Sequence, residues 1–424
     1  MARKNRSPEE HSIDPAAQEM LIRAEEIGVG TAFTRADDMV PCNIGSAGMC
    51  CKLCGMGPCR LTKDGQTGVC GATIDTIQAR NLIRAIAAGA AAHSDHGRDM
   101  AFTLKAVANG ETEGYVIRDV AKLRRVAARY DIPIEGRAPE EIANDLADLY
   151  LAQFGQQRGT VAPLIRAPEK RQKLWQEQKV LPRGIDREVV ESLHRTHIGD
   201  DQDPEHILHH AVRTALADGW GGSMIATDVA DILFGTPAPI LGQANLGVLK
   251  QDMVNVVVHG HEPTLSEMIV AASQDPEIIA YAQAAGAKGV NLAGICCTAN
   301  EILMRQGIPA AGNFLQQELA ILTGAVEAMV VDVQCVMQAL VGLAENFHTL
   351  VITTSPKVKI KGATHIEFDE HHALTIAKQI LREAIDNYKN RGAVQIPDVR
   401  EDLIPGFSHE YINYMLGGSY RACN

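Results

Sequence analysis

Six of the ten cysteines in this 424-residue chain lie in one run, PCNIGSAGMCCKLCGMGPCRLTKDGQTGVCG, residues 41–71. The thiols stand at Cys42, Cys50, Cys51, Cys54, Cys59 and Cys70, spaced C-x7-C-C-x2-C-x4-C-x10-C. A run this rich in glycine bends tightly enough for its thiolates to converge on a small object. The amino terminus, MARKNRSPEEHSIDP, is polar and has no apolar signal core. The expected location is therefore the cytoplasm, where structural disulfides are rare and clustered cysteines more often bind metal. A zinc site takes four thiols and leaves two unexplained. Iron–sulfur clusters take four cysteines each. The last four, Cys51, Cys54, Cys59 and Cys70, make one complete set. Cys42 and Cys50 are half a set, which a twofold dimer would complete with the same pair from a second chain.

Three more candidate donors lie further along. His261 stands in His259-Gly260-His261-Glu262, Cys296 and Cys297 are adjacent, and Cys335 is isolated. One imidazole and two thiolates suit zinc, iron–sulfur or nickel chemistry rather than magnesium. A single cysteine is more often packing than a ligand, so the elements that carry these residues matter. Each follows a short β-branched or apolar run: Val254–Val258, Val290–Ile295 and Met329–Val333. Open α/β sheets bind ligands outside the carboxyl ends of their strands, so three strand ends can bring the donors to one place.

Further strand signals are Leu350–Thr353 and, more weakly, Ile308–Ala311 and His365–Phe368. Helical stretches at Thr264–Ala272 and Ala299–Gln306 lie between strands, and Ala373–Tyr388 is a last strong helix. Alternation of this kind predicts right-handed βαβ units and a parallel sheet. Before Pro237 the pattern is helical. Met20, Leu21, Ala24 and Ile27 place an amphipathic helix over 15–35. Thr73–Ala92 predicts a second helix, ending in the polar run His93-Ser94-Asp95-His96-Gly97, and Ala101–Asn109, Pro139–Phe154 and Pro204–Asp218 predict three more. The expected fold class is α plus α/β: an all-helical domain over 1–235 carrying the knot (41–71), then a Rossmann-like parallel α/β domain over 236–391. Residues 392–424 read as a loop-like tail with a short helix near Glu410–Met415.

Apolar residues make up 46% and charged residues 22%, ordinary for a globular chain. The net charge of −12 argues against nucleic acid as the main partner. The longest apolar region, Leu315 to Ala344, is interrupted by Glu318, Glu327 and Asp332 and is not a membrane span.

The knot, AAHSDHG at 91–97, DILFGTP at 231–237, HGHEPTLSEM at 259–268, GICCTANEILMRQGIPAAGNFLQQELAILTGAVEAMVVDVQC at 294–335 and ITTSPKVKI at 352–360 closely resemble the catalytic subunit of anaerobic nickel–iron carbon monoxide dehydrogenase. The resemblance implies a prismane/carbon monoxide dehydrogenase-like fold. It implies reversible oxidation of carbon monoxide with water to carbon dioxide, with two electrons leaving for ferredoxin or a similar carrier. By resemblance, Cys42 and Cys50 are ligands of an iron–sulfur cluster shared across a homodimer, and Cys51, Cys54, Cys59 and Cys70 hold a [4Fe–4S] cluster in each subunit. His261, Cys297 and Cys335 match ligands of the nickel–iron–sulfur active-site cluster, the second thiol of the Cys296–Cys297 pair being the one the family uses. His93 resembles the active-site histidine, His96 the start of a histidine proton path, and Asp218 the carboxylate that orients the acid–base groups. The resemblance leaves open whether acetyl-CoA synthase or a hydrogenase is the working partner.

Two departures accompany it. Family subunits run on into a last domain that supplies three more cysteine ligands and a lysine, whereas here only Cys423 follows Cys335. The tail then reads as the start of a missing third domain, with the active-site cluster incompletely ligated and activity impaired. Beyond His96, steps of three reach Asp99 and Phe102, where the family commonly has histidine; Asp99 can relay protons and Phe102 cannot. The alternatives are an electron-transfer protein without a competent active site, and a hydroxylamine-reductase-like reaction at an altered iron–sulfur centre.

Overall fold

The computed structural model describes residues 6–415. These fall into two compact units, one formed by Pro41–Gly110 and Val120–Leu233, the other by the residues up to Val40, Glu111–Asp119 and the residues from Phe234 on.

The first unit is helical apart from a two-residue hairpin in the knot, β1 (Cys50–Cys51) antiparallel to β2 (Cys59–Arg60). Its axis is one 35-residue helix, Ile74–Ala108, capped by the Thr73 hydroxyl, which accepts from the Thr76 N–H at 3.3 Å. Ile77, Ile83, Ala87, Met100 and Leu104 form its buried face, and Ile83 packs with Ile207 and Ala211 of the helix Pro204–Ala217. The polar run 93–97 does not end this helix, as its composition suggests, but lies inside it. Ser94 and Gly97 face inward. A Cβ on Gly97 would stand 2.3 Å from the Gly222 carbonyl oxygen, and one on Gly222 2.5 Å from the Ser94 Cα. The run is polar and small because two backbones meet there. After Ala217 the chain makes a π-helical turn, Asp218–Gly222, and continues into the helix Ser223–Phe234.

The second unit is built on an eight-stranded sheet. Its strands are β3 (Gly242–Ala244), β4 (Val254–Gly260), β5 (Val290–Ile295), β6 (Ala310–Gly312), β7 (Val326–Val331), β8 (Leu350–Thr353), β9 (Thr364–His365) and β10 (Glu401–Leu403). The order is β10-β3-β6-β5-β4-β7-β8-β9, all parallel except β10, which pairs antiparallel with β3. Every residue of β4 and β7 is buried, as central parallel strands require. β3 and β10, three residues each on one edge, are too short to show periodicity in the sequence. β7 starts three residues and ends two residues earlier than expected, which moves Asp332 and Val333 out of the strand and into the loop before Cys335.

Residues up to Val40 belong with the sheet rather than with the knot. The region 15–35 is two helices, Pro15–Glu26 and Ala32–Asp38, separated by a turn with Gly28 at φ 71°. Met20 and Leu21 join the core made by Val257, Met329 and Val331. The three acids that break the apolar region 315–344 are all buried. Glu318 accepts from the Ala32 N–H and pairs with Arg35. Glu327 pairs with Arg391 at 2.6 Å and His348 at 2.8 Å. No helix among the described residues is long and apolar enough to cross a membrane. The tail contains β10 and a helical segment at 409–415; Cys423 lies outside the described residues.

Candidate functional site

In the knot, Cys51 and Cys59 face each other across β1 and β2. The Gln78 amide donates to the Ala47 carbonyl, and Asn81 donates to those of Gly48 and Cys50, so the long helix anchors the loop. All nine described cysteines are free. Several sulfurs instead receive backbone N–H groups: Gly45 N–H reaches Cys42 Sγ at 3.4 Å, and Val69 N–H reaches Cys59 Sγ at 3.4 Å. The Gly45 and Ile44 N–H groups hold the Cys42 thiol below its ordinary range. The Ala72 N–H, with Arg80 nearby, does the same for Cys70. N–H donors directed at sulfur stabilise thiolates and tune the clusters they hold. This donor set fits iron–sulfur ligation.

The second site lies at the carboxyl ends of β5, β4 and β7, three neighbouring parallel strands. His261 follows β4, Cys296 and Cys297 open the helix Cys296–Gln306 directly after β5, and Cys335 follows β7. Gly260 bridges to Cys296, and the Asp332 N–H donates to the His259 carbonyl at 3.1 Å, so the three ends are stitched side by side. Burial pushes the Cys296 thiol up to about 12, reinforced by Cys335 and Cys297. Cys297 is raised too, by burial first and then by Cys335. Cys335 thus lies near enough to both neighbouring thiols to raise them, and such a group favours a metal that removes their protons.

No set of three or more His, Cys, Asp or Glu among the described residues closes on a single metal ion. Imidazole and thiol donors on three neighbouring loops are the donor types that metal–sulfur chemistry uses. The backbone is strained here as well: Cys296, Gln334 and Cys335 have φ of 65°, 64° and 57°. Left-handed non-glycine residues cost energy and persist where the surroundings over-determine them. Asp332, in the sequence only a charge within an apolar stretch, is buried here and its carboxyl is pushed up to about 7, chiefly by that burial. Nothing local in the sequence distinguishes it from Glu318 or Glu327, although its place three residues before Cys335 is a usable signal.

In the helical unit, the π-helical turn sets Asp218 beside the long helix. Asp218 Oδ2 lies 3.3 Å from His93 Nδ1, and the Ser223 hydroxyl donates to Oδ1 at 3.0 Å. Burial raises the Asp218 carboxyl, and His93 opposes that rise. His96 and Asp99 lie further along the same helix, half-buried, and Phe102 is exposed.

An imidazole and thiolates at parallel strand ends, with a separate thiolate knot on a helical unit, define a metal–sulfur protein. The chain matches the Prismane/CO dehydrogenase family over residues 49–412 and belongs to it. It is 54% identical over 97% of its length to carbon monoxide dehydrogenase 1 of Methanosarcina mazei, and 46% identical over 95% to the carbon monoxide dehydrogenase of Rhodospirillum rubrum. It spans 66% and 64% of those two proteins. Among solved structures, a nickel-free carbon monoxide dehydrogenase from Thermococcus sp. AM4 superposes with a TM-score of 0.96 at 50% identity, covering 99% of this chain and 67% of that one. An acetyl-CoA synthase/carbon monoxide dehydrogenase superposes at 0.94 with 43% identity, covering 96% of this chain and 62% of that one.

Proposed function

We propose that this chain carries the electron wire and part of the active-site ligation of a carbon monoxide dehydrogenase. The reaction is CO + H2O → CO2 + 2H+ + 2e−. The observation that carries the reading is the donor arrangement at the ends of β4, β5 and β7, in a chain 54% identical to a carbon monoxide dehydrogenase. His261, Cys297 and Cys335 would hold the nickel–iron–sulfur group. When bound, that group supplies a binding site for carbon monoxide, acidification of water and storage of two electrons.

The chain's own residues manage the protons. Ionised Asp218 accepts from His93 Nδ1–H, which fixes the tautomer and leaves Nε2 to take up a proton. Ser223 keeps Asp218 oriented. His96 and then Asp99 continue the path along the helix, and the apolar Phe102 interrupts it. In the knot, Cys51, Cys54, Cys59 and Cys70 would hold one [4Fe–4S] cluster. Cys42 and Cys50, one exposed and one half-buried, would share another with a second copy of the chain. Clusters held there would pass electrons to a ferredoxin-like carrier.

Protein purified without oxygen should contain iron, sulfide and nickel and reduce viologen when carbon monoxide is added. Iron and sulfide without nickel, with no carbon monoxide-dependent reduction, would reject the catalytic reading and leave an electron-transfer protein.

A further inference from the structure

The strained Cys335 turn and its two neighbouring loops need something to hold them, and Asp332 is built to do so. Its side chain is buried within the sheet unit. Oδ1 accepts the His261 backbone N–H at 2.6 Å and also that of Val333. Oδ2 accepts the Glu262 N–H at 3.1 Å and the Thr298 hydroxyl at 2.8 Å. One carboxylate therefore reaches the loop after β4, the helix start after β5 and the loop after β7, the three segments that bear His261, Cys297 and Cys335. The fit is close: a Cβ on Gly260, which has φ 136°, would stand 1.7 Å from Asp332 Oδ1. On the far side of the turn, Gln317 Nε2 donates to the Cys335 carbonyl at 3.1 Å and Gln317 Oε1 accepts the Met337 N–H at 2.9 Å. Left-handed φ at both Gln334 and Cys335 persists because the turn is gripped from both ends.

We infer that Asp332 is the positioning residue of this site, holding its imidazole-bearing and thiolate-bearing loops in mutual register. The inference rests on the reading that His261, Cys297 and Cys335 are donors, and it deepens that reading. Four groups donate to Asp332 and none accepts from it, two on each oxygen. An asparagine can serve only one of these pairs, because in either orientation its amide hydrogens meet two other donors. An ordinary buried asparagine replacement would be mild; this one removes the link between loops.

The test is hydrogen–deuterium exchange on protein purified without oxygen, with iron and nickel counted in the same samples. In Asp332→Asn, exchange over residues 259–263 and 331–337 should quicken about tenfold or more. Iron and nickel per chain should fall, while the helix Ile74–Ala108 stays as protected as before. Metal loss without faster exchange would overturn the positioning role, because Asp332 would then act on the metal group itself. Unchanged exchange with full metal would overturn it outright. If Asp332→Asn fails to fold, with protection of 74–108 lost as well, Thr298 decides. Thr298→Val removes one donor and should quicken exchange at 331–337 about threefold, whereas Thr298→Ser should match the unaltered protein. Equal exchange in all three would overturn the inference. The donor reading fails separately, if His261→Ala keeps its full metal content while Asp332→Asn still exchanges faster.

Discussion

The knot and the strand-end site both gather cysteines, yet they treat the thiol in opposite ways. In the knot, backbone N–H groups from residues two or three positions away lower Cys42 and Cys70. At the strand ends, burial and neighbouring thiols raise Cys296 and Cys297. The first site is made by a short stretch of chain folding over its own sulfurs. The second is made by three strands that bring sulfurs from distant parts of the chain into one crowded place. A local loop can ready a thiolate before any metal arrives, whereas crowded thiols lose their protons favourably only when a metal takes them.

The largest test separates the two sites by their consequences. Cys335→Ser or His261→Ala should bring carbon monoxide-dependent viologen reduction below detection, a loss beyond the roughly 10–100-fold cost of an outer partner. The paramagnetic signals of the clusters proposed for the knot should survive. Loss of all signals together would show that the two sites do not assemble independently.

Thiol labelling of metal-free protein reads the comparison directly. At pH 8, iodoacetamide should modify Cys42 and Cys70 about 100-fold faster than Cys296, as mapped by peptide mass spectrometry. Raising the pH from 7 to 9 should speed Cys296 about tenfold per unit, because its value of about 12 lies above that window. Cys42, lowered by its N–H donors, should gain less over the same range. Similar rates and similar slopes for both would erase the contrast between the two sites.

On the proposed proton path, Asp218→Asn should lower kcat roughly 50-fold, less than a full acid–base group because Asp218 would act through His93. Burial raises the Asp218 carboxyl, so falling pH protonates it earlier than an ordinary aspartate and loosens its hold on His93. The acid limb of the pH–rate profile should therefore lie above the usual aspartate range and vanish in the variant. An unchanged acid limb would remove Asp218 from the proton path. The smallest effect belongs to the path's outer end. Histidine at both positions, Asp99→His with Phe102→His, should raise turnover by less than about tenfold; no change in rate would mean that protons leave elsewhere.

Much of the sheet unit was legible because its central strands are apolar and bounded by turns. β5 and β8 lie where the β-branched runs put them. The β7 boundary was not, since Val333 continues the apolar run while its N–H turns to the Asp332 side chain. In sequence the long helix reads as two because Ser94 and Gly97 look like a terminus, and only the approach of Gly222 explains them. Likewise, the helix Pro15–Glu26 points toward the knot in sequence but buries Met20 and Leu21 with the sheet.

The sequence by itself determined which atoms are available: six thiols at close spacing in the knot, and an imidazole and thiols just past three apolar runs. Residue type and local spacing suffice for that, because strand periodicity and loop composition are short-range properties. Only the tertiary structure decided how the second set is held. Asp332 reaches the His261 loop, Thr298 and its own turn at once, and its bonds to His261, Glu262 and Thr298 exist only when β4, β5 and β7 lie side by side. Beyond its place three residues before Cys335, a carboxylate that joins residues so far apart along the chain has no signature in a window of sequence, and its role follows from strand order.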